Sequence, residues 1–400
     1  MPSNHPFPPA FLWGAATSAH QIEGNNTASD WWQIEHQPSS FITEPSGDAC
    51  DSYHRWREDL ELAADAGLNS YRFSIEWARL EPAPGAFSRA NLAYYAKLID
   101  TAAELGLKPL VTLHHFTNPA WVGALGSWAH PKIADLFARY CAYVAPILGQ
   151  VEHICLINEP NMVTLFPVIA SAGGLAALDS LPLPDPDHVK GIIAAHDAAR
   201  AALRQVLPHA RLGWSVASQT YHPEPGAEEL AAAYQRASED IFYDAAAGDD
   251  WIGVQSYTCR RVKAVAGELR AAPRAGSERT LTDWEYYPPA LAECVRRVAD
   301  LTGLPVLVTE NGIATPDDAR RIAYTAEALA GLAGALADGI DVRGYFHWSL
   351  LDNYEWGSFA PTFGLVAVDR TTFTRTPKPS LAYLGALART GQLTTSKRPS

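Results

Sequence analysis

The chain predicts an α/β fold, a single (β/α)8 TIM barrel over residues 1–400, on three observations. Eight short apolar, β-branched runs recur along it, Ala/Leu/Glu/Arg-rich stretches with helical spacing lie between them, and polar or aromatic residues stand just past the runs. Strands alternating with helices imply βαβ units, and eight such units fit a closed barrel. An open doubly wound sheet would usually carry a Gly-rich phosphate loop after its first strand, where this chain has Gly14-Ala15-Ala16-Thr17.

The first strand is expected over Phe11 to Ala16 and leads into His20-Gln21-Ile22-Glu23. A helix over Arg57 to Ala66 precedes the second strand, Ser70 to Ile75, which carries Arg72 in its middle. A helix over Asn91 to Leu105 leads to the third, Pro109 to Leu113, and then to His114-His115-Phe116. The fourth, His153 to Ile157, follows a helix over Pro131 to Leu148 and ends in Asn158-Glu159-Pro160. Helices over Val189 to Val206 and Glu228 to Ala246 flank the fifth, Leu212 to Val216, and the sixth, Trp251 to Val254, runs into Gln255-Ser256-Tyr257. The seventh, Pro305 to Val308, ends in Thr309-Glu310-Asn311-Gly312, and a helix over Asp317 to Ala337 separates it from the eighth, Val342 to Phe346, which opens into His347 to Trp356. Leu181 to Pro186, Arg260 to Thr280 and Thr390 to Ser400 have weak periodicity and read as loops or a frayed end, so the domain core is expected over about 8 to 390, with a loose tail at 391 to 400.

A hydrophobic fraction of 48% with 19% charged residues is ordinary globular composition, and no apolar run approaches a membrane span. The start, Met1 to Pro6, has neither a basic nor an apolar signal region, so the expected compartment is the cytoplasm. Cys50, Cys141, Cys155, Cys259 and Cys294 are scattered and odd in number, which argues against a disulfide framework and a zinc site. A formal net charge of −13 repels phosphodiester backbones and anionic lipid, leaving nucleic acid and membrane unexpected as partners and a neutral small-molecule substrate favoured. Oligomeric state, monomer or homodimer, stays open.

Glu159 and Glu310 each close a strand run at its C-terminal end, which is the mouth of a parallel barrel. Taken singly, either could be a strand-end salt bridge. Two carboxyl groups facing one pocket are the machinery of glycoside hydrolysis, one protonating the leaving oxygen and the other attacking or activating water. Sugars present apolar C–H faces and a hydroxyl rim, so their pockets need aromatic platforms beside Gln, Asn, His and carboxylate partners. The strand-end residues supply both. An adjacent pair such as His114-His115 is poor metal-ligand spacing, and no metal or other cofactor is expected.

Five motifs in one order, FLWGAATSAHQIEG (11–24), YRFSIEWARLEP (71–82), INEP (157–160), TENG (309–312) and GYFHWSLLDNYEW (344–356), resemble glycoside hydrolase family 1, the β-glucosidase family of retaining (β/α)8-barrel enzymes. The resemblance runs from about Phe11 to Asp369. It implies a retaining β-glycosidase acting on terminal β-D-glucosides, with β-D-fucosides and β-D-galactosides as further candidates. It implies Glu159 as acid/base, Asn158 as the partner of the sugar 2-hydroxyl and Glu310 as nucleophile, with Arg72 and Tyr257 contacting the nucleophile. Gln21, His115, Glu355 and Trp356 match positions gripping the sugar in the −1 subsite, and Trp348 matches its aromatic floor.

The chain departs from the family in Gln255-Ser256-Tyr257, where Asn-Tyr-Tyr is usual, and in Phe116, where Trp is common. Segments after Glu159, at Arg260 to Thr280 and after Glu310 look shortened, which implies an open aglycone side and transfer to alcohols or sugars as a side activity. Retention calls for carboxyl groups about 5 to 5.5 Å apart, and such closeness is expected to raise the pKa of Glu159 to about 6 to 7. One rival is a 6-phospho-β-glycosidase, against which Glu355 to Phe363 offers no cation for a phosphate; another is a non-catalytic sugar-binding barrel, against which both glutamates are present.

Overall fold

A computed structural model describes residues 6–38, 40, 42–174 and 177–393. The expected tail therefore falls mostly on 394–400, outside the described residues. Eight parallel strands close into a barrel: β1 (Leu12–Ala16), β2 (Ser70–Ser74), β3 (Lys108–Thr112), β4 (His153–Asn158), β5 (Arg211–Ala217), β6 (Trp251–Gln255), β7 (Val306–Asn311) and β8 (Val342–Trp348). Their spatial order is β1-β8-β7-β6-β5-β4-β3-β2, and β1 closes the ring by pairing Gly14 with Ser70. All eight expected runs are barrel strands. Buried on both faces, they read as continuous apolar runs rather than alternating ones. Four extend past their apolar residues, to Asn158, Gln255, Asn311 and Trp348, because ladder pairing continues into the polar mouth.

Alternate residues divide the core in two. Leu12, Leu110, Cys155, Trp251, Leu307 and Phe346 fill the barrel interior, while a larger shell including Val111, Ile154, Val216, Val254 and Val308 packs on the helices. Two glycines make room for the interior's large rings. A Cβ at Gly14 would sit 2.4 Å from the Phe346 ring, and one at Gly213 would lie 2.9 Å from the Trp251 indole.

The helices correct several expectations. The stretch read as one helix over Pro131 to Leu148 is Ile133–Val144 followed by a 3-10 turn, Ala145–Ile147, because Pro146 has no N–H to continue the ladder. A π turn, Arg236–Asp240, interrupts Glu228 to Ala246. Pro160–Ser171, Ala290–Thr302 and Pro379–Thr390 are helices that the sequence reading did not single out. Arg260 to Thr280 is not a plain loop: Cys259–Val265 and Glu268–Ala271 form an antiparallel hairpin, joined by Thr220–Pro223 into a three-stranded sheet. Its turn is Ala266-Gly267, both at positive φ (52° and 85°), the geometry of a two-residue hairpin loop that follows strand twist. Only one face, with Val262 and Leu269, is buried, which left the pattern faint in sequence. Among the described residues no helix is long and apolar enough to cross a membrane.

Candidate active site

Two irregular strand ends place the carboxyl groups. Pairing of β4 with β5 slips between Cys155 and Asn158, and Glu159 then takes a left-handed conformation (φ 45°, ψ 59°) as the cap of helix Pro160–Ser171. Its N–H donates to Ser215 O at 2.7 Å, fixing the kink. A non-glycine residue held there costs about 1–3 kcal/mol, strain of the kind that gathers at functional sites. The β7 ladder likewise slips against β6 between Val308 and Glu310. Tyr257, past β6, is pinned from below: Tyr324 Oη donates to its carbonyl and Asn311 Nδ2 to the Ser256 carbonyl, each at 2.6 Å.

Glu310 is buried and fully engaged. Arg72 Nη1 donates to its Oε1 at 2.5 Å, and the Tyr257 hydroxyl donates to its Oε2. Arg72, buried within the barrel, also donates through Nη2 to Asn158 Oδ1. Burial pushes the Glu310 carboxyl up, and Arg72 and Tyr257 pull it back. Glu159 has no such support: among the described residues no donor reaches its carboxyl group. Desolvation first and the Glu310 charge second hold it well above the usual carboxylate range, in the direction expected from sequence, while the residue keeps an edge open to solvent. Both carboxyl groups are thus raised, Glu159 the further, because only Glu310 has a guanidinium and a hydroxyl bonded to it.

The other expected residues join the same network. Gln21 Nε2 donates to Tyr354 O (2.7 Å), Asn353 Oδ1 (3.1 Å) and Glu355 Oε2 (3.4 Å), and Trp348 Nε1 donates to Glu355 Oε1 at 3.0 Å. Glu355 is held well above its ordinary range by burial, which the Trp348 donor opposes and the Glu310 charge reinforces. The His115 ring stacks near-parallel between Trp348 (5.8 Å, 15°) and Trp356 (6.2 Å, 12°), and its Nε2 lies 3.3 Å from Asn158 Nδ2. Burial and Arg72 keep His115 neutral. His114 faces away, as strand alternation predicts, bonded to Asn118 and edge-on to Trp128. Phe116 packs on Trp356 at 4.8 Å. Among the described residues, no cluster of three or more His, Cys, Asp or Glu could hold a metal.

Several contributors were not read from sequence. His20 stacks on Trp356 (5.6 Å, 2°) and is held by Glu35 and Asn26, each at 3.1 Å. Its place beside Gln21 was the available signal. Trp284, half-exposed, packs on Tyr257 at 5.5 Å. Gln255, which stands where the family usually has Asn, donates from Nε2 to Asn158 Oδ1 at 2.8 Å. Beyond Glu159 two cavities flank helix Pro160–Ser171. One of about 480 Å³ is lined by Glu159, Met162, Tyr257, Arg260 and Trp284, and one of about 410 Å³ by Trp31, Phe116, Trp128, Val163 and Phe166.

Comparison with known proteins agrees with this geometry. The family model described as glycosyl hydrolase family 1 matches residues 3–249 and 246–392. A beta-glucosidase of Agrobacterium sp. is 32% identical over 445 residues, spanning 96% of this chain and 95% of its own. The crystal structure of beta-glycosidase BGL167 superposes with a TM-score of 0.88 at 41% identity, covering 99% of this chain and 100% of that one. A beta-glucosidase from Thermotoga maritima, solved in complex with noeuromycin, superposes at 0.89 with 26% identity, over 98% of this chain and 100% of its own. With a closed (β/α)8 barrel and two carboxyl groups at its mouth, the chain belongs to glycosyl hydrolase family 1, the retaining β-glycosidases.

Proposed function

We propose that the chain, as one catalytic domain, hydrolyses terminal β-D-glucosides by double displacement, with Glu310 as nucleophile and Glu159 as acid/base. The observation that carries the assignment is the asymmetry of the two carboxyl groups: Glu310 is ion-paired to Arg72 and bonded to Tyr257, while Glu159 lacks a donor and is pushed towards its protonated form. Glu310 attacks the anomeric carbon as the glycosidic C–O bond breaks, and the Glu159 proton passes to the leaving oxygen. The resulting ester removes the charge that had raised Glu159, so its pKa falls. Glu159 then takes a proton from water as that water attacks the anomeric carbon, which frees the product and regenerates Glu310. Asn158 Nδ2 donates to the sugar 2-hydroxyl. Gln21, His115, Glu355 and Trp356 grip the remaining hydroxyls over the Trp348 floor. The beta-glucosidase names of the relatives support glucose in this subsite.

A panel of 4-nitrophenyl β-D-glucoside, fucoside, galactoside, mannoside, xyloside and 6-phosphoglucoside tests this reading. The glucoside is expected to give the highest kcat/KM, with fucoside and galactoside cleaved and the phosphorylated sugar not. Cleavage of the phosphoglucoside alone would favour the phospho-sugar rival, and cleavage of none the sugar-binding one.

The pH profile carries a second test. Glu310 works ionised, so activity falls as pH drops through its pKa; Glu159 works protonated in the first step, so activity falls as pH rises through its own. Tyr257→Phe removes a donor to the Glu310 carboxylate, which raises that pKa. The acid limb of kcat/KM should move to higher pH by about one unit, with kcat lowered about tenfold. An unshifted acid limb would exclude the hydroxyl as a tuner of Glu310.

A further inference from the structure

Gln255 ends β6 beneath the site, with no exposed surface. Its Nε2 donates to Asn158 Oδ1 at 2.8 Å, and Arg72 Nη2 donates to the same oxygen. A carbonyl oxygen has two lone pairs, and both are then occupied. The Asn158 amide can therefore present only Nδ2 elsewhere, 3.3 Å from His115 Nε2 and on the side where the sugar is gripped. Arg72 supplies one donor to that oxygen through Nη2 while its Nη1 is committed to Glu310 and the Thr309 carbonyl, and Gln255 supplies the second donor that fixes the orientation of the amide.

The other half of the Gln255 amide shows what the residue is for. Its Oε1 is buried with no partner among the described residues. A buried unpaired acceptor is destabilising, and a methionine of nearly the same shape would avoid it. Among the described residues, the side-chain bond Gln255 makes is thus the one that places an N–H on Asn158. Asparagine, usual here in the family, would be about 1.5 Å shorter and could not span the gap from the same backbone.

We infer that Gln255 is a positioning residue for glycosyl transfer: it locks the Asn158 amide so that Nδ2 meets the sugar 2-hydroxyl as positive charge develops at the anomeric carbon. Gln255 touches no substrate itself. The inference rests on the assignment of Asn158 to the 2-hydroxyl proposed above. Because that bond strengthens in the transition state, losing its alignment lowers kcat and leaves KM nearly unchanged.

A substrate lacking the 2-hydroxyl isolates the effect. Wild type, Gln255→Met, Gln255→Asn and Asn158→Ala are assayed on 4-nitrophenyl β-D-glucoside and on its 2-deoxy counterpart, with Tm measured for each. Gln255→Met should lose about tenfold in kcat on the glucoside and less than about twofold on the 2-deoxy substrate, without a lower Tm. Gln255→Asn, which keeps the amide, should show the same pattern and decides the matter if the Met variant folds poorly. Asn158→Ala should lose more, again on the glucoside selectively. Equal losses on both substrates, or none on the glucoside, would overturn the inference. Equal losses for Asn158→Ala would overturn it together with the role of Asn158, whereas a wild type inactive on every β-glycoside would instead remove the proposed function.

Discussion

Glu310→Ala is expected to lower kcat on 4-nitrophenyl β-D-glucoside by about 10⁵-fold, since removing the nucleophile abolishes the covalent route and not merely one contact. The variant leaves a space beside Arg72 and Tyr257, both of which had been donating to the lost carboxylate. Azide fits that space as a small anion and meets the same guanidinium. It should restore measurable turnover and yield the α-glycosyl azide, because a single displacement from the nucleophile's side inverts the β-linkage. NMR of the product distinguishes this from leftover wild-type activity, which cannot give the α-azide. A variant with near wild-type kcat, or azide that restores nothing while the protein stays folded, would remove Glu310 from the reaction.

Glu159→Ala should show the complementary signature. Loss of the acid is felt most where the leaving group is poor, so an alkyl glucoside should slow by about 10³-fold or more, and a dinitrophenyl glucoside, which leaves without protonation, far less in its first step. Azide should now speed release of the glycosyl ester and give the β-glycosyl azide, attacking from the face where water would. Stability adds an independent readout. Burial and Glu310 hold the Glu159 pKa above its unfolded value, so folding is favoured below the unfolded pKa and loses stability as pH rises through the folded one. Glu159→Gln removes that penalty, and its Tm advantage over wild type should be absent near pH 4 and grow towards pH 8. A Tm difference that is flat across that range would show that Glu159 is not held protonated by its surroundings.

The same residues show what is legible in sequence. A barrel strand buried on both faces is apolar along its length, so all eight runs stand out, and an ionisable residue closing such a run, as Glu159 and Glu310 do, marks the mouth. The His114/His115 division follows from strand alternation alone. What escapes is geometry made by irregularity. The slip in β4 and the left-handed turn at Glu159 leave no trace in composition, yet they aim the carboxyl group. Gln255 reaches Asn158 across the intervening strand β5, a contact that depends on interior side-chain directions around the closed ring. Helix Pro160–Ser171 is apolar on most sides and contains Pro167, so it lacks the amphipathic stripe that marks the outer helices; those apolar faces line the two cavities beyond Glu159. The hairpin at Cys259 to Ala271 hides for the opposite reason, since its outer face is solvated and charged.

The central claim is a glycosyl ester on Glu310, and trapping that ester tests it most directly. An activated 2-deoxy-2-fluoro-β-D-glucoside slows both steps by withdrawing electrons from the developing cation, while its good leaving group keeps the first step the faster, so the ester accumulates. Intact mass spectrometry should show one added fluoroglucosyl group per chain as activity is lost, and peptide mapping should place it on Glu310 within Val308-Thr309-Glu310-Asn311-Gly312. A label on any other residue, or full turnover with no label and an α-configured first product, would contradict the account.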